Sequence, residues 1–239
     1  MLIRRRRRPG GPVHRLGIAL RWPLGLARVS WRYMWRVTAV HRSEADGGPA
    51  DAPDPVPPDV LDDDVQRVED GVGPLLKRRY SVRIEGSPLP PDQVIGRFSG
   101  DPNCGAPSEV AVFEKVRGQD GRLHVGDEFL IRMPGPWDGP VRVIGTGPAS
   151  FRLATLRGHL EAGQIEFRCR ADDGALLFEI ESWARSGDRL SDLLYTRLRL
   201  AKEIQLNLWV ETCLRLTRDA GGRPRGGVHV DTLRIPLPT

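Results

Sequence analysis

Tyr80, Val82 and Ile84 alternate with Ser81, Arg83 and Glu85, the period-two pattern of a half-buried strand. Pro90, Pro91 and Asp92 then open a short helix reaching Phe98, and the GDPNCGAPS stretch after it reads as a loop. Six further strand-like runs follow without another helical period, at 109–116, 127–133, 140–145, 150–156, 164–170 and 175–185. Turn residues separate them, among them Gln119-Asp120-Gly121 and Asp172-Asp173-Gly174. The stretch 190–216 contains no Gly or Pro, opens behind Ser186-Gly187-Asp188, and repeats Leu190, Leu194, Leu198, Ala201 and Leu208 near helical spacing. A helix of that length reaches roughly 40 Å, enough to cross a sheet. The pattern predicts an α+β fold in which a seven-stranded antiparallel sheet buries one face against a long C-terminal helix. A single helix seldom fills such a concavity, so an internal cavity is expected.

The flanks read differently. Residues 23–41 fit a helix with Pro23 in its first turn and Leu26, Val29, Tyr33, Val37 and Val40 on one face. Arg28, Arg32 and Arg36 share another face, flanked by Trp31 and Trp35, a mixture suited to an anionic membrane surface. The same helix can instead pack on its own domain with the arginines in water. Residues 43–70 are rich in Pro and acids with almost no aliphatic period, which predicts a linker. Its charge opposes that of the arm before it, so the two are expected to associate at low salt. The division is thus a basic, Trp-containing arm (1–42), an acidic linker (43–70), a sheet-and-helix domain (71–216) and a tail (217–239) holding one strand or none.

Charge follows this division: net +11 over residues 1–42, −9 over 43–70 and +3 over the remainder. The basic balance therefore belongs to the arm, and a specific nucleic-acid-binding domain is not implied. Arginines at 15, 21, 28, 32 and 36 interrupt every apolar run near the N-terminus, which argues against a signal peptide or a membrane span. Cys104, Cys169 and Cys213 are too few and scattered for a disulfide frame or a zinc site, consistent with a reducing, cytoplasmic setting, peripheral to the inner membrane face if the arm binds lipid.

Candidate chemistry sits mainly in turns. His159 and Glu161 lie in a glycine-bracketed turn, where a carboxylate would raise the imidazole pKa and fix its tautomer for general-base work. Structural turn residues would look the same. In the last strand Glu179, Glu181 and Trp183 share one face and Phe178, Ile180 and Ala184 the other, so the carboxylates either line the cavity or form an outer row paired with Glu166, Arg168 and Arg170. Trp137, between two Gly-Pro pairs, either plugs a core end or covers a ligand entrance. Tyr195 lies on the long helix, and Lys202, Gln205 and Trp209 on a flank able to reach the cavity mouth. No phosphate-binding Gly loop, HExxH or CxxC is present, so neither a cofactor nor a metal is implied.

Five segments carry a family resemblance: GVGPLLKRRYSVRI from Gly71, VGDEFLIRMPGPWDGPVRV from Val125, TLRGHLEAGQIEF from Thr155, IESWARSGD from Ile180 and LLYTRLRLAKEIQ from Leu193. Together they resemble the actinobacterial and plant domain-of-unknown-function family nineteen-ninety, of the START-like helix-grip superfamily. Other members carry a His-Arg pair before the first strand's Tyr; Lys77 and Arg78 stand there in this chain. The resemblance implies a grip fold and a cavity but transfers no reaction. Three functions fit: a module holding a hydrophobic or amphipathic small molecule, an enzyme using His159/Glu161 or Glu179/Glu181 for proton transfer, and a structural or partner-binding protein with a filled cavity.

Overall fold

Strand formation extends well beyond the alternating core of the sequence. The computed structural model describes residues 39–108, 110–133, 138–187 and 200–236. Its strands are β1 (Val40–Asp46), β2 (Val72–Glu85), β3 (Val112–Arg117), β4 (Glu128–Arg132), β5 (Asp138–Gly147), β6 (Ser150–Thr155), β7 (Glu161–Asp172), β8 (Ala175–Ser186) and β9 (Arg223–Ile235). Helix α1 (Pro91–Gly100) follows β2, and α2 (Leu200–Asp219) precedes β9. Among the described residues the sheet therefore has nine strands rather than seven, in the order β1-β9-β2-β8-β7-β6-β5-β4-β3. Every pairing is antiparallel except β1 with β9.

The two added strands lie at one side. β9 occupies the tail expected to hold one strand or none, pairing with β2 over Tyr80↔Val230 and Val82↔Val228. Its GG pair, Gly226 and Gly227, takes positive φ of 74° and 87° and absorbs a register shift against β2. β1 contains Val40 and His41, so the expected helix over 23–41 ends in extended backbone. The rest of that helix, with Arg28, Trp31, Arg32, Trp35 and Arg36, lies outside the described residues.

The inner face carries the core. Tyr80, Val82 and Ile84 of β2, Phe178 and Ile180 of β8, Phe167 of β7 and Phe151 of β6 pack with Val94, Ile95 and Phe98 of α1 and with Trp209, Val210, Cys213 and Leu216 of α2. Helix α2 lies against β2, β9 and β8, and α1 against β7 and β6. This is the antiparallel sheet gripping a C-terminal helix that the pattern predicts.

The expectation of a linker over 43–70 gives way to a strap on the outer face of the sheet. Three short 3-10 turns, Pro49–Asp51, Pro58–Val60 and Val68–Asp70, link extended pieces. Val56 and Val65 bury against Ile144, Ala154 and Leu156, and Val68 against Leu75, Trp183 and Ile235. Backbone bonds fix it further: the Gln66 N–H donates to the Thr155 carbonyl at 2.8 Å and the Arg157 N–H to the Asp64 carbonyl at 2.8 Å. Few apolar residues suffice because each lands on an apolar patch already present on the sheet, and the backbone finds partners instead of water. The acids of the strap pair with the sheet as well: Asp51 with Lys77, Asp54 with Arg152 and Asp62 with Arg142. These carboxylates thus meet cations of the domain itself, where the sequence suggested the basic arm.

Candidate functional site

On the inner face the period-two alternation of β2 places one charge beyond Tyr80, at Arg78. Its guanidinium donates to Gln205 Oε1 of α2 at 2.6 Å, and Gln205 Nε2 donates to Glu161 Oε2 at the start of β7 at 2.8 Å. All three residues are half-buried, forming a polar rim where helix and sheet diverge. Burial pushes the Tyr80 phenol up to about 12, with the neighbouring Arg78 opposing it, so the hydroxyl keeps its proton.

Below the rim the cleft is aromatic. Phe167 stacks on Phe151 at 4.8 Å between centroids and meets Phe98 and Trp209 edge-on at 5.2 and 5.6 Å. Among the described residues the void in this floor, between Phe98, Phe113, Phe129, Phe151 and Phe167, is about 10 Å³, far below what a ligand needs. Two polar atoms of α2 nevertheless stand buried without a hydrogen-bond partner among the described residues: Trp209 Nε1 and Asn207 Oδ1. An indole N–H without an acceptor in a core is uncommon and costs on the order of 1–3 kcal/mol.

His159 adjoins the rim, but its ring is held as a structural element. Nδ1 lies 2.9 Å from the Glu161 backbone N–H and 3.1 Å from the Glu161 carbonyl, so the backbone of that residue holds the ring in place. The ring lies against β5 so closely that a Cβ on Gly139 would meet its Nε2 at 3.1 Å. The Glu161 carboxylate was expected to raise the imidazole pKa and set its tautomer; burial outweighs that carboxylate and lowers the pKa.

Glu179, Glu181 and Trp183 lie on the outer face, away from the cleft. The carboxylates are only 3% and 6% exposed because long cations and the strap cover them. Arg168 Nε reaches Glu179 at 3.1 Å, its second nitrogen reaches Glu181 at 3.0 Å, and Lys77 meets Glu181 at 3.1 Å. Trp183 Nε1 donates to the Asp51 carbonyl at 2.8 Å, pinning the strap. The seven candidates therefore do not form one site: His159 and Glu161 stand at the inner rim, these three on the opposite face, and Trp137 and Tyr195 outside the described residues. Arg78 was legible only as a charge on an otherwise apolar strand face. Gln205 was legible as a helix-flank residue.

The chain matches the family model described as "Domain of unknown function (DUF1990)" over residues 108–211, from just before β3 into α2, in agreement with the resemblance carried by the sequence segments. No curated protein matches the sequence. Solved structures similar to it include Ara h 8.0201, at 11% identity and TM-score 0.42, covering 61% of this chain and 97% of that one. A conserved protein from Geobacillus kaustophilus is similar at 11% identity and TM-score 0.42, covering 62% and 99% of the two chains. The di-domain ARO/CYC StfQ from the steffimycin biosynthetic pathway is similar at 10% identity and TM-score 0.42, covering 64% of this chain and 53% of that one. No helix among the described residues is long and apolar enough to cross a membrane.

Proposed function

We propose that this protein is a binding module for an amphipathic small molecule, taken between α2 and the inner face of the sheet through the rim of Arg78, Glu161 and Gln205. The buried Trp209 N–H without an acceptor carries this reading, since a ligand acceptor would satisfy it. Arg78 supplies a charge-assisted donor for a polar or anionic head, and the aromatic floor supplies an apolar bed once its rings part. Because that floor is closed, binding has to displace side chains, most simply by rotation of Phe151 and Phe167.

The test is native mass spectrometry of the purified full chain, followed by titration with dodecanoate monitored through Trp fluorescence. Saturable binding is expected, and Arg78→Ala should weaken it at least about tenfold, the worth of a hydrogen bond to a charged group. A second reading, a partner-binding or structural domain with a filled interior, is favoured by the 10 Å³ void. Absence of any saturable apolar ligand would establish that reading over the first.

The basic arm adds a proposed attachment to anionic membranes, supported by the Arg28/Arg32/Arg36 stripe and its flanking Trp31 and Trp35. Since Val40 to Arg42 pair with β9, a clean deletion removes residues 1–38 rather than the whole arm. That deletion should abolish flotation with phosphatidylserine vesicles and leave the melting temperature unchanged. Retained, salt-insensitive flotation would contradict the assignment.

A further inference from the structure

A cavity of about 290 Å³ lies on the outer face of the sheet, across from the cleft. Its lining is arranged in rows by strand register. In one row Arg225 of β9 faces Arg83 of β2, Arg83 faces Leu177 of β8, and Leu177 faces Arg170 of β7. In the next row His229, Ser81 and Glu179 are neighbours, and beyond it Asp231 faces Arg79. Ser81 is short between long side chains, which is why the face is hollow there.

Most of these charges are spent on one another. Arg79 pairs with Asp231 at 2.8 Å, Arg83 with Asp172 at 2.7 Å, and Arg170 with Asp172 and Glu179 at 3.4 and 3.5 Å. Arg225 has no carboxylate among the described residues and stands directly across from Arg83, whose own carboxylate is Asp172, so one positive charge of the pair is left uncompensated. The Ser81 hydroxyl also has no partner among the described residues. Two adjacent guanidiniums, a free hydroxyl on the floor and an imidazole beside it suit a tetrahedral oxyanion, because each arginine offers two parallel N–H groups. Leu177 supplies an apolar wall for an organic substituent.

We propose that this outer cavity binds a small phosphate monoester, the phosphoryl oxygens bridging Arg225 and Arg83 over Ser81 and His229 and the organic group lying against Leu177. The volume, near the lower end for small-molecule sites, fits a compact ligand. The same phosphate chemistry also occurs in lipid headgroups, so the experiment has two arms. In the first, the full chain is titrated with phenyl phosphate and followed by calorimetry and by the NMR signals of Ser81, Arg83, Arg225 and His229.

Saturable binding that moves those signals is expected, weakened at least tenfold by Arg225→Ala and by Arg83→Ala but not by Arg97→Ala, an exposed arginine on α1. Arg225 makes no ion pair among the described residues, so its removal leaves the fold intact, which the melting temperature verifies. No saturable binding, or equal binding by Arg225→Ala, overturns the proposal. In the second arm, phosphatidic acid vesicles are offered as competitor. Absence of competition supports a free monoester, whereas displacement of phenyl phosphate reassigns the cavity to a headgroup and overturns it.

Discussion

Phe167→Ala is expected to lower the unfolding free energy by about 3–5 kcal/mol, the range for deleting a phenyl ring from a packed core. Phe167 is 1% exposed and touches three other rings, Phe98, Phe151 and Trp209, so α1, α2 and β6 all lose a contact when it goes. For a domain of this size each kcal/mol shifts the melting temperature by about 2–4 °C, giving a fall of roughly 6–20 °C in calorimetry. Phe167→Leu, which keeps most of the volume, should cost much less, and the difference between the two variants isolates the cavity from general damage. A loss below about 1 kcal/mol for the alanine variant would mean that the floor is loosely packed. The same variant bears on function, since an enlarged apolar void beside Trp209 should tighten dodecanoate binding if the cleft is the ligand site.

How much of this was readable beforehand depends on where each element finds its partner. The inner face of β2, β7 and β8 was legible because Tyr80, Val82 and Ile84, then Phe178 and Ile180, keep strict alternation and bury one face. β9 was legible only as one strand or none, because Gly226 and Gly227 look like a loop although they form a bulge inside a strand whose Val228 and Val230 do alternate. The strap was missed for a different reason. Val56, Val65 and Val68 are too sparse to announce structure, and what anchors them is a set of apolar residues on the outer face, Leu75, Ile144, Leu156 and Trp183. Those residues were visible in the sequence only as apolar side chains within strand-like runs. Which segment covers them is a long-range fact that no local window contains. The pKa of His159 is of the same kind, since it turns on burial of a ring that packs closely on Gly139 of β5.

The strap also defines where a single buried charge matters most. Arg142 of β5 is 4% exposed and joins the strap to the sheet through four bonds: two to Glu128 at 3.1 and 2.7 Å, one to Asp62 at 2.8 Å and one to the Val60 carbonyl at 3.0 Å. Burial works against the guanidinium, yet the Asp62 and Glu128 bonds outweigh it and raise its pKa, so it cannot escape by losing its proton. Arg142→Met is therefore expected to cost about 3 kcal/mol, the lower end for breaking a buried pair, because Glu128 keeps the exposed Arg117 at 3.3 Å. Hydrogen exchange should show the Val65 and Gln66 amides opening before the sheet does. Adding Glu128→Leu should recover most of the loss, since the buried carboxylate left with only the exposed Arg117, not the missing attraction, dominates the cost. If instead the double variant is as unstable as the single one, the cost lies in lost strap contacts. The acid limb follows from Asp62, whose carboxyl Arg142 holds below its usual value through their hydrogen bond. A depressed folded-state pKa gives stability that is present above the unfolded value and lost as pH falls through the folded one, so the strap is expected to loosen only below about pH 4. Asp62 is half exposed, so Asp62→Asn alone should cost under about 1 kcal/mol at neutral pH while removing this part of the acid dependence.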